Sequence, residues 1–212
     1  YANTVGYCTG DCEFSRGVLA HGTWEPWETA VAMAVLAQAP PERMPIVVDY
    51  GCHVGWYSLL AAKWGFDVLA VDADAEHVVV LEHNARLNDA ARRVTAVCGW
   101  IDATRAPLPA GPRIRLAKID VENAEHYATA TLRPSLDDGL IDYVLMELSP
   151  EFGHDWLHAV GDLGLAGYTG FVIPTKGDDL DAFEADPLAV TLTRPLDVGL
   201  VNRQMSALFC RP

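Results

Sequence analysis

The stretch Ile46 to Trp64, IVVDYGCHVGWYSLLAAKW, decides the architecture of the chain. Ile46-Val-Val-Asp-Tyr50 is a β-branched run of the kind that forms a buried strand, Gly51 to Gly55 is a glycine turn, and Trp56 to Trp64 reads as a helix. The same unit recurs downstream. VLAVD, Val68 to Asp72, predicts a second strand. Glu76 to Asn88 predicts a second helix, with Val78, Leu81, Ala85 and Asn88 on one face and Asn88 able to cap its end. Val94 to Cys98 reads as a third strand, followed by a loop rich in proline (Pro107, Pro109, Pro112). Arg115 to Asp120 makes a fourth strand before a helix from Ala124 to Leu132, and Asp142 to Leu148 a fifth before a helix from Glu151 to Leu165. Thr169 to Ile173 and Ser206 to Cys210 complete the set. This alternation predicts an α/β protein built on a doubly wound, mostly parallel seven-stranded sheet with helices on both faces. Upstream, Pro26 is placed as the first residue of a helix running to Gln38, and Pro40-Pro41 separates that helix from the first strand. We expect one domain over 45–212 with an N-terminal extension over 1–44. Within that extension HGTWEPWE, His21 to Glu28, either folds over a ligand as a lid or packs its tryptophans against the sheet.

Composition narrows the function classes. The 212 residues carry 15 Lys+Arg against 29 Asp+Glu, a formal charge of −14, and 50% are hydrophobic, which fits a globular chain. That negative field disfavours phosphate backbones and anionic membrane surfaces, so neither nucleic acid nor membrane is expected as a partner. No apolar run approaches the roughly 18 residues of a membrane span. The five cysteines, Cys8, Cys12, Cys52, Cys98 and Cys210, are odd in number, which favours a reducing, cytoplasmic setting over a disulfide framework. Cys8 and Cys12 in CTGDC, with His21 as a distant third, lack the paired four-ligand spacing of a zinc site, so we expect ordinary thiols and no metal.

In open α/β sheets ligands bind beyond the carboxyl ends of the strands, near the point where strand order reverses. Five features fall at such ends. Asp49-Tyr-Gly51-Cys52-His53-Val-Gly55 supplies glycines that let the backbone approach a ligand, just before a helix N-terminus. Asp72 ends the second strand at an offset suited to accepting hydrogen bonds from a ribose diol. Gly99-Trp100-Ile101-Asp102 offers a wall for a flat base. Asp120 to His126, DVENAEH, and Glu147 follow the fourth strand and end the fifth. His53 stands where a dinucleotide fingerprint has its second glycine, and a bulky residue there crowds a pyrophosphate. S-adenosylmethionine has no pyrophosphate, so this loop suits it better than NAD. The plainer alternative is that the glycines only make the turn and Asp72 only caps the next helix.

VVDYGCHVGWYSLLAAKWG, VLAVDADAEHVVVLEHNARLN, LAKIDVENAEHYATATL and VLMELSP together resemble the FkbM family of class I S-adenosylmethionine-dependent methyltransferases. The resemblance covers Pro45 to about Pro150, and KIDVENAE is its most specific part. The chain departs from the family pattern at Asn123, in place of a glycine, and at Asp72 and Ala73, in place of glutamate and proline. Cys52 and His53 replace alanine and asparagine, so a divergent member is implied.

The resemblance implies the Rossmann-like class I methyltransferase fold and S-adenosylmethionine as cofactor. It assigns Gly51, Cys52, His53 and Gly55 to the methionine end, Asp72 to the ribose and Trp100 to the adenine, with Asp49, Tyr57, Ala73 and Asp120 completing the cofactor set. Methyl transfer needs alignment and, for a hydroxyl acceptor, a base. Asp120, Glu122 and His126 are the catalytic candidates. Glu122 and His126 are four apart and share a face if a helix begins near Glu122, where a carboxylate would orient a histidine base; the alternative for His126 is a surface histidine. Asp120 with Glu147 could instead hold a divalent cation. His154 is placed to reach an acceptor and His21 to belong to a lid, whereas His77, His83 and His158 read as helix-surface positions.

The expected reaction is O-methylation of a small molecule or glycan hydroxyl, with a homo-oligomer left open. An NAD-linked oxidoreductase and a non-catalytic nucleoside-binding module are the alternatives. A nucleic-acid amine methylator is disfavoured by charge and by the lack of an Asn/Asp-Pro-Pro-Tyr/Phe motif.

Overall fold

A computed structural model describes residues 13–38, 45–101, 112–174 and 180–212. The expectations for Cys8 and Cys12, the Pro40-Pro41 break, Asp102 and the Pro107–Pro109 loop lie outside these residues. Five strands run parallel: β1 (Ile46–Tyr50), β2 (Val68–Asp72), β3 (Val94–Cys98), β4 (Ile114–Ile119) and β5 (Ile141–Leu148). β6 (Thr169–Val172) and β7 (Met205–Cys210) follow, with β7 antiparallel to both β5 and β6. The seven-stranded sheet has the order β3-β2-β1-β4-β5-β7-β6, so the mostly parallel, doubly wound expectation holds. Chain order reverses between β1 and β4, which opens a crevice at their carboxyl ends.

The central strands are apolar on both sides because both sides are covered. One core gathers Val47 and Leu116 with the helices α2 (Pro26–Ala37), α3 (Trp56–Lys63) and α4 (Ala75–Leu87), including Val35, Leu59 and Leu81. The other gathers Val48 and Ile119 with α5 (Glu125–Asp137) and α6 (Asp155–Leu165), including Leu132 and Leu163. α4 begins where Asp74 accepts a hydrogen bond from the Glu76 N–H (2.8 Å), and Asn88 is its C-terminal cap. Asn84, not foreseen on the inner face, is fully buried and donates to the Val54 carbonyl (2.9 Å), tying α4 to the glycine turn.

Three features differ from the sequence expectations. α5 runs on through Pro134 to Asp137, since a proline removes one helical N–H while its carbonyl still accepts, here from Asp138 N (3.1 Å). α6 starts at Asp155 rather than Glu151, because the preceding chain turns at Gly153, where a Cβ would run into the Asn123 side chain. The third is a set of helices that the pattern did not signal: α1 (Glu13–His21), α7 (Leu180–Ala185) and α8 (Pro187–Thr191). α1 and α2 share the core of α3, with Phe14 of α1 edge-on to Trp24 (5.3 Å between centroids) and Trp56 (6.3 Å). Among the described residues no helix is long and apolar enough to cross a membrane.

Candidate active site

A cavity of about 640 Å³ opens at the crevice between β1 and β4. Its floor is the glycine turn. The N–H groups of Gly51 and Cys52 both donate to the Val71 carbonyl (2.9 and 3.1 Å), folding the turn over the end of β2. Gly51 has φ +76°, and a Cβ there would overlap the carbonyl oxygen of Asp120, so only glycine lets the β1 turn rest against the end of β4. Backbone strain gathers at this place. Glu25, His53 and Glu122, three of the five left-handed non-glycine residues among those described, all line the cavity.

Asp72 lies on one side of the cavity. Its Oδ2 accepts from the His53 N–H (2.7 Å), its Oδ1 from the Asp74 N–H (2.9 Å), and His77 Nδ1 stands 3.2 Å from Oδ1. The carboxylate is therefore held rigidly while still bordering open space. The His53 ring is edge-on to His77 (4.3 Å) and to Phe14 (5.2 Å). Burial, and then the neighbouring His77, lower its pKa and favour the neutral imidazole. Trp100, 73% exposed, forms the rim, and Ala73 lines the wall.

Carboxylates from three separate segments gather on the other side. Lys118 and Asp120 are two apart at the end of β4, a period that sets both on one side of the strand, and Lys118 Nζ donates to Asp120 Oδ2 (2.6 Å). Lys118 is buried beneath the Tyr57 ring (5.1 Å), and the Tyr57 hydroxyl donates to Glu25 Oε2 (2.6 Å). Burial works against the lysine charge, but Asp120, Glu25 and Asp49 outweigh it and hold its pKa above the usual value. Burial draws Asp120 upward, and Lys118 more than reverses that, so its carboxyl ionises below the usual range. Glu147 follows the opposite course: burial and then the Asp120 charge raise it to about 8, so it holds a proton at neutral pH. Its carboxyl accepts from Gln204 Nε2 and from Ser149 Oγ (3.3 Å). Ligand oxygens of Glu25, Asp120 and Glu147 lie within 4.8 Å of one another, a spacing a divalent cation can bridge. The Asp120–Glu147 pair, an alternative in the sequence reading, is thus brought together, with Glu25 added to it.

Other expected residues are placed differently. Asp49 is 1% exposed, does not line the cavity, and accepts from the buried Ser58 hydroxyl (2.6 Å), which ties α3 to β1; burial raises its pKa. Cys52 lines the cavity as a buried thiol, raised by desolvation. Gly55 caps α3, and a Cβ on it would meet Leu81, so its part is packing. The Glu122–His126 relay is not formed. α5 begins at Glu125, leaving Glu122 in the turn before it with φ +47°, so the two do not share a helical face. Glu122 lines the cavity, whereas His126 turns to α6, where its Nδ1 lies 2.8 Å from Asp155 Oδ2. His21 and His154 are exposed and line no part of the cavity. His77, read as a surface histidine, does line it.

Sequence reasoning did not assign roles to Lys118, Glu25 and Phe14. The first was legible as the residue two before Asp120 on a strand. The other two arrive from an N-terminal segment with no motif of its own.

No family model matches the chain, and no curated protein sequence matches it. Solved structures do. A TehB-like SAM-dependent methyltransferase from Corynebacterium glutamicum is 17% identical with a TM-score of 0.56, over 94% of this chain and 95% of that one. Magnesium protoporphyrin IX methyltransferase from Synechocystis PCC 6803, with bound SAM, is 17% identical with a TM-score of 0.57, over 96% and 86%. A putative O-methyltransferase from Klebsiella pneumoniae is 14% identical with a TM-score of 0.52, over 93% and 96%. The chain therefore has the Rossmann-like fold of the class I SAM-dependent methyltransferases.

Proposed function

We propose that this protein is an S-adenosylmethionine-dependent methyltransferase, a divergent relative of the FkbM family, that methylates a hydroxyl of a small molecule or glycan in a reducing, cytoplasmic setting. The observation that carries the reading is the cavity at the strand-order reversal, where Asp72 is pinned by two backbone N–H groups beside the glycine turn. The residues suit the cofactor. Asp72 is an acceptor for ribose hydroxyls, Trp100 and Ile101 border space for a flat base, and seven carboxyls against one lysine suit a cationic ligand. When bound, S-adenosylmethionine supplies a methyl group activated by its sulfonium.

The remaining work falls to side chains of this chain. Asp120, kept ionised by Lys118, and Glu147, poised at about 8, stand together where an acceptor hydroxyl would enter. A carboxyl with a pKa near the working pH is suited to taking a proton from an alcohol as it reacts. Glu147 in its ionised form, a minority at neutral pH whose share grows as pH rises through about 8, is accordingly the base, Asp120 the group that tunes it, and Glu25 with Tyr57 orients the acceptor. The His53 and Glu122 positions add a polar wall, and α1, through Phe14, shelters the His53 side from water. The negative cavity excludes anionic acceptors and nucleic acid.

Calorimetric titration with S-adenosylhomocysteine, S-adenosylmethionine and NADH tests this reading. Binding of the two adenosyl sulfur compounds, weakened by roughly ten- to a hundredfold in Asp72→Asn, is expected. Binding of NADH alone, or of none of the three, would overturn it.

A further inference from the structure

A second cavity, about 490 Å³, opens at the opposite end of the sheet, where β4 and β5 begin and β7 ends. Arg113, Arg115 and Arg211 line it, together with Asp142 and Tyr143. Asp142 is its one acid among the described residues, so three guanidinium groups face one carboxylate in a chain whose formal charge is −14. Such an enclave runs against the field of the molecule and calls for a reason.

Part of the reason is structural. Arg115 is buried over the Tyr143 ring (5.0 Å), donates from Nε and Nη2 to the Val35 carbonyl (3.0 and 2.8 Å) and from Nη1 to Asp142 Oδ2 (3.0 Å). Each of its three nitrogens is engaged, and it locks the end of α2 to β4 and β5. The other two arginines are not consumed in this way. Arg113, half exposed, engages Asp142 Oδ1 through Nη2 alone. Arg211 lies over the Tyr168 ring (5.1 Å) and donates through Nη2 to the Leu136 and Ala166 carbonyls (2.6 and 2.7 Å). The Nε and Nη1 groups of both therefore have no partner among the described residues, while their Nη2 bonds hold the planar forks in place. Asp142, already shared by Arg113 and Arg115, cannot satisfy them.

We propose that this cavity binds a small phosphate-bearing ligand through Arg113 and Arg211, with Arg115 and Asp142 as the frame that positions them. Preorganised guanidinium forks with unused donors fit tetrahedral oxyanions in bidentate fashion. The surrounding negative charge selects compact ligands, because a long polyanion would extend into repulsion. The site is independent of the methyl-transfer reading: Arg113 precedes β4 and Asp120 follows it, six strand residues away, roughly 20 Å along the sheet.

The test is calorimetric titration of the full chain with inorganic phosphate, pyrophosphate and glycerol 3-phosphate at constant ionic strength, on wild type, Arg113→Gln and Arg211→Gln. Saturable binding of at least one of these probes is expected, weakened at least roughly tenfold in each variant. The thermal response to S-adenosylhomocysteine should stay unchanged. Preference for glycerol 3-phosphate would identify an ester and preference for phosphate or pyrophosphate a free anion, and either supports the site. Absence of saturable binding at millimolar concentration would overturn it, as would equal affinity in wild type and Arg113→Gln. Arg113 is half exposed and outside both cores, so loss of folding does not confuse that comparison.

Discussion

Replacing Glu147 by glutamine makes the proton held in the cavity at the β1–β4 crevice measurable. Burial, then the charge of Asp120, raise this carboxyl from an ordinary 4.5 to about 8. Between those two values the folded chain holds a proton that the unfolded chain has already released. The stabilisation is complete below the unfolded value, shrinks as pH rises through the window, and is gone above the folded one. Integrating the difference in bound protons from pH 7 to pH 9 yields a loss of roughly 1.4 kcal/mol, which residual solvent access reduces to about 1 kcal/mol. Glutamine keeps an N–H donor toward Asp120 and does not titrate. Urea unfolding followed by tryptophan fluorescence at pH 7, 8 and 9 should therefore show wild type losing about 1 kcal/mol more than Glu147→Gln across that span. Asp120→Asn, which removes the charge that helps raise Glu147 but leaves its burial, should reduce the wild-type slope without abolishing it. Parallel curves for wild type and Glu147→Gln would refute the reasoning, because they would mean that Glu147 is ionised throughout.

Four other expectations follow from single contacts. Gly51→Ala, with φ +76° and a Cβ overlapping the Asp120 carbonyl, should cost about 3 kcal/mol or more in denaturant unfolding. Ser58→Ala strips the hydroxyl from Asp49 Oδ2 when Oδ1 already has no hydrogen-bond partner, and a loss of about 1–3 kcal/mol should appear in the same assay. Trp100→Ala should leave stability within about 0.5 kcal/mol of wild type, since the ring is 73% exposed, yet weaken S-adenosylhomocysteine binding severalfold in calorimetry. Lys118 already places a cation on Asp120, and Glu147 is protonated at neutral pH, so EDTA should leave methyl transfer unchanged; loss of activity restored by magnesium would assign the three carboxylates to a metal instead.

The boundaries of β1 and β2 coincide with the runs Ile46–Tyr50 and Val68–Asp72 because strands covered on both faces announce themselves as largely apolar segments, whereas β3, an edge strand with Thr95 and Cys98 exposed, was legible from its β-branched run Val94–Cys98. The glycine turn and Asp72 were legible for a related reason: a strand-to-helix turn is local, set by residues adjacent in the chain. The ends of α5 and α6 were not. Pro134 looks like a helix stop, but it is tolerated where packing of Leu132 and Leu136 against the sheet outweighs one lost hydrogen bond. The entry to α6 depends on the contact between Gly153 and Asn123, 30 residues apart. β7 slots between β5 and β6 in antiparallel sense, a pairing between distant segments that leaves no local trace.

The chain alone thus establishes the layered α/β sheet, the crevice at its reversal point and the glycine-turn and Asp72 side of that crevice, since periodicity and turn chemistry act over a few neighbouring residues. The carboxylate side belongs to folding at long range. Glu25, Asp120 and Glu147 are separated by 95 and 27 residues and meet because α2 packs across β4 and β5. Glu122 and His126, four residues apart, are parted because the helix starts between them and each side chain follows the neighbour its own backbone faces. Proximity in sequence is a guide to contact only within one regular element. Across elements, burial and charge choose the partners.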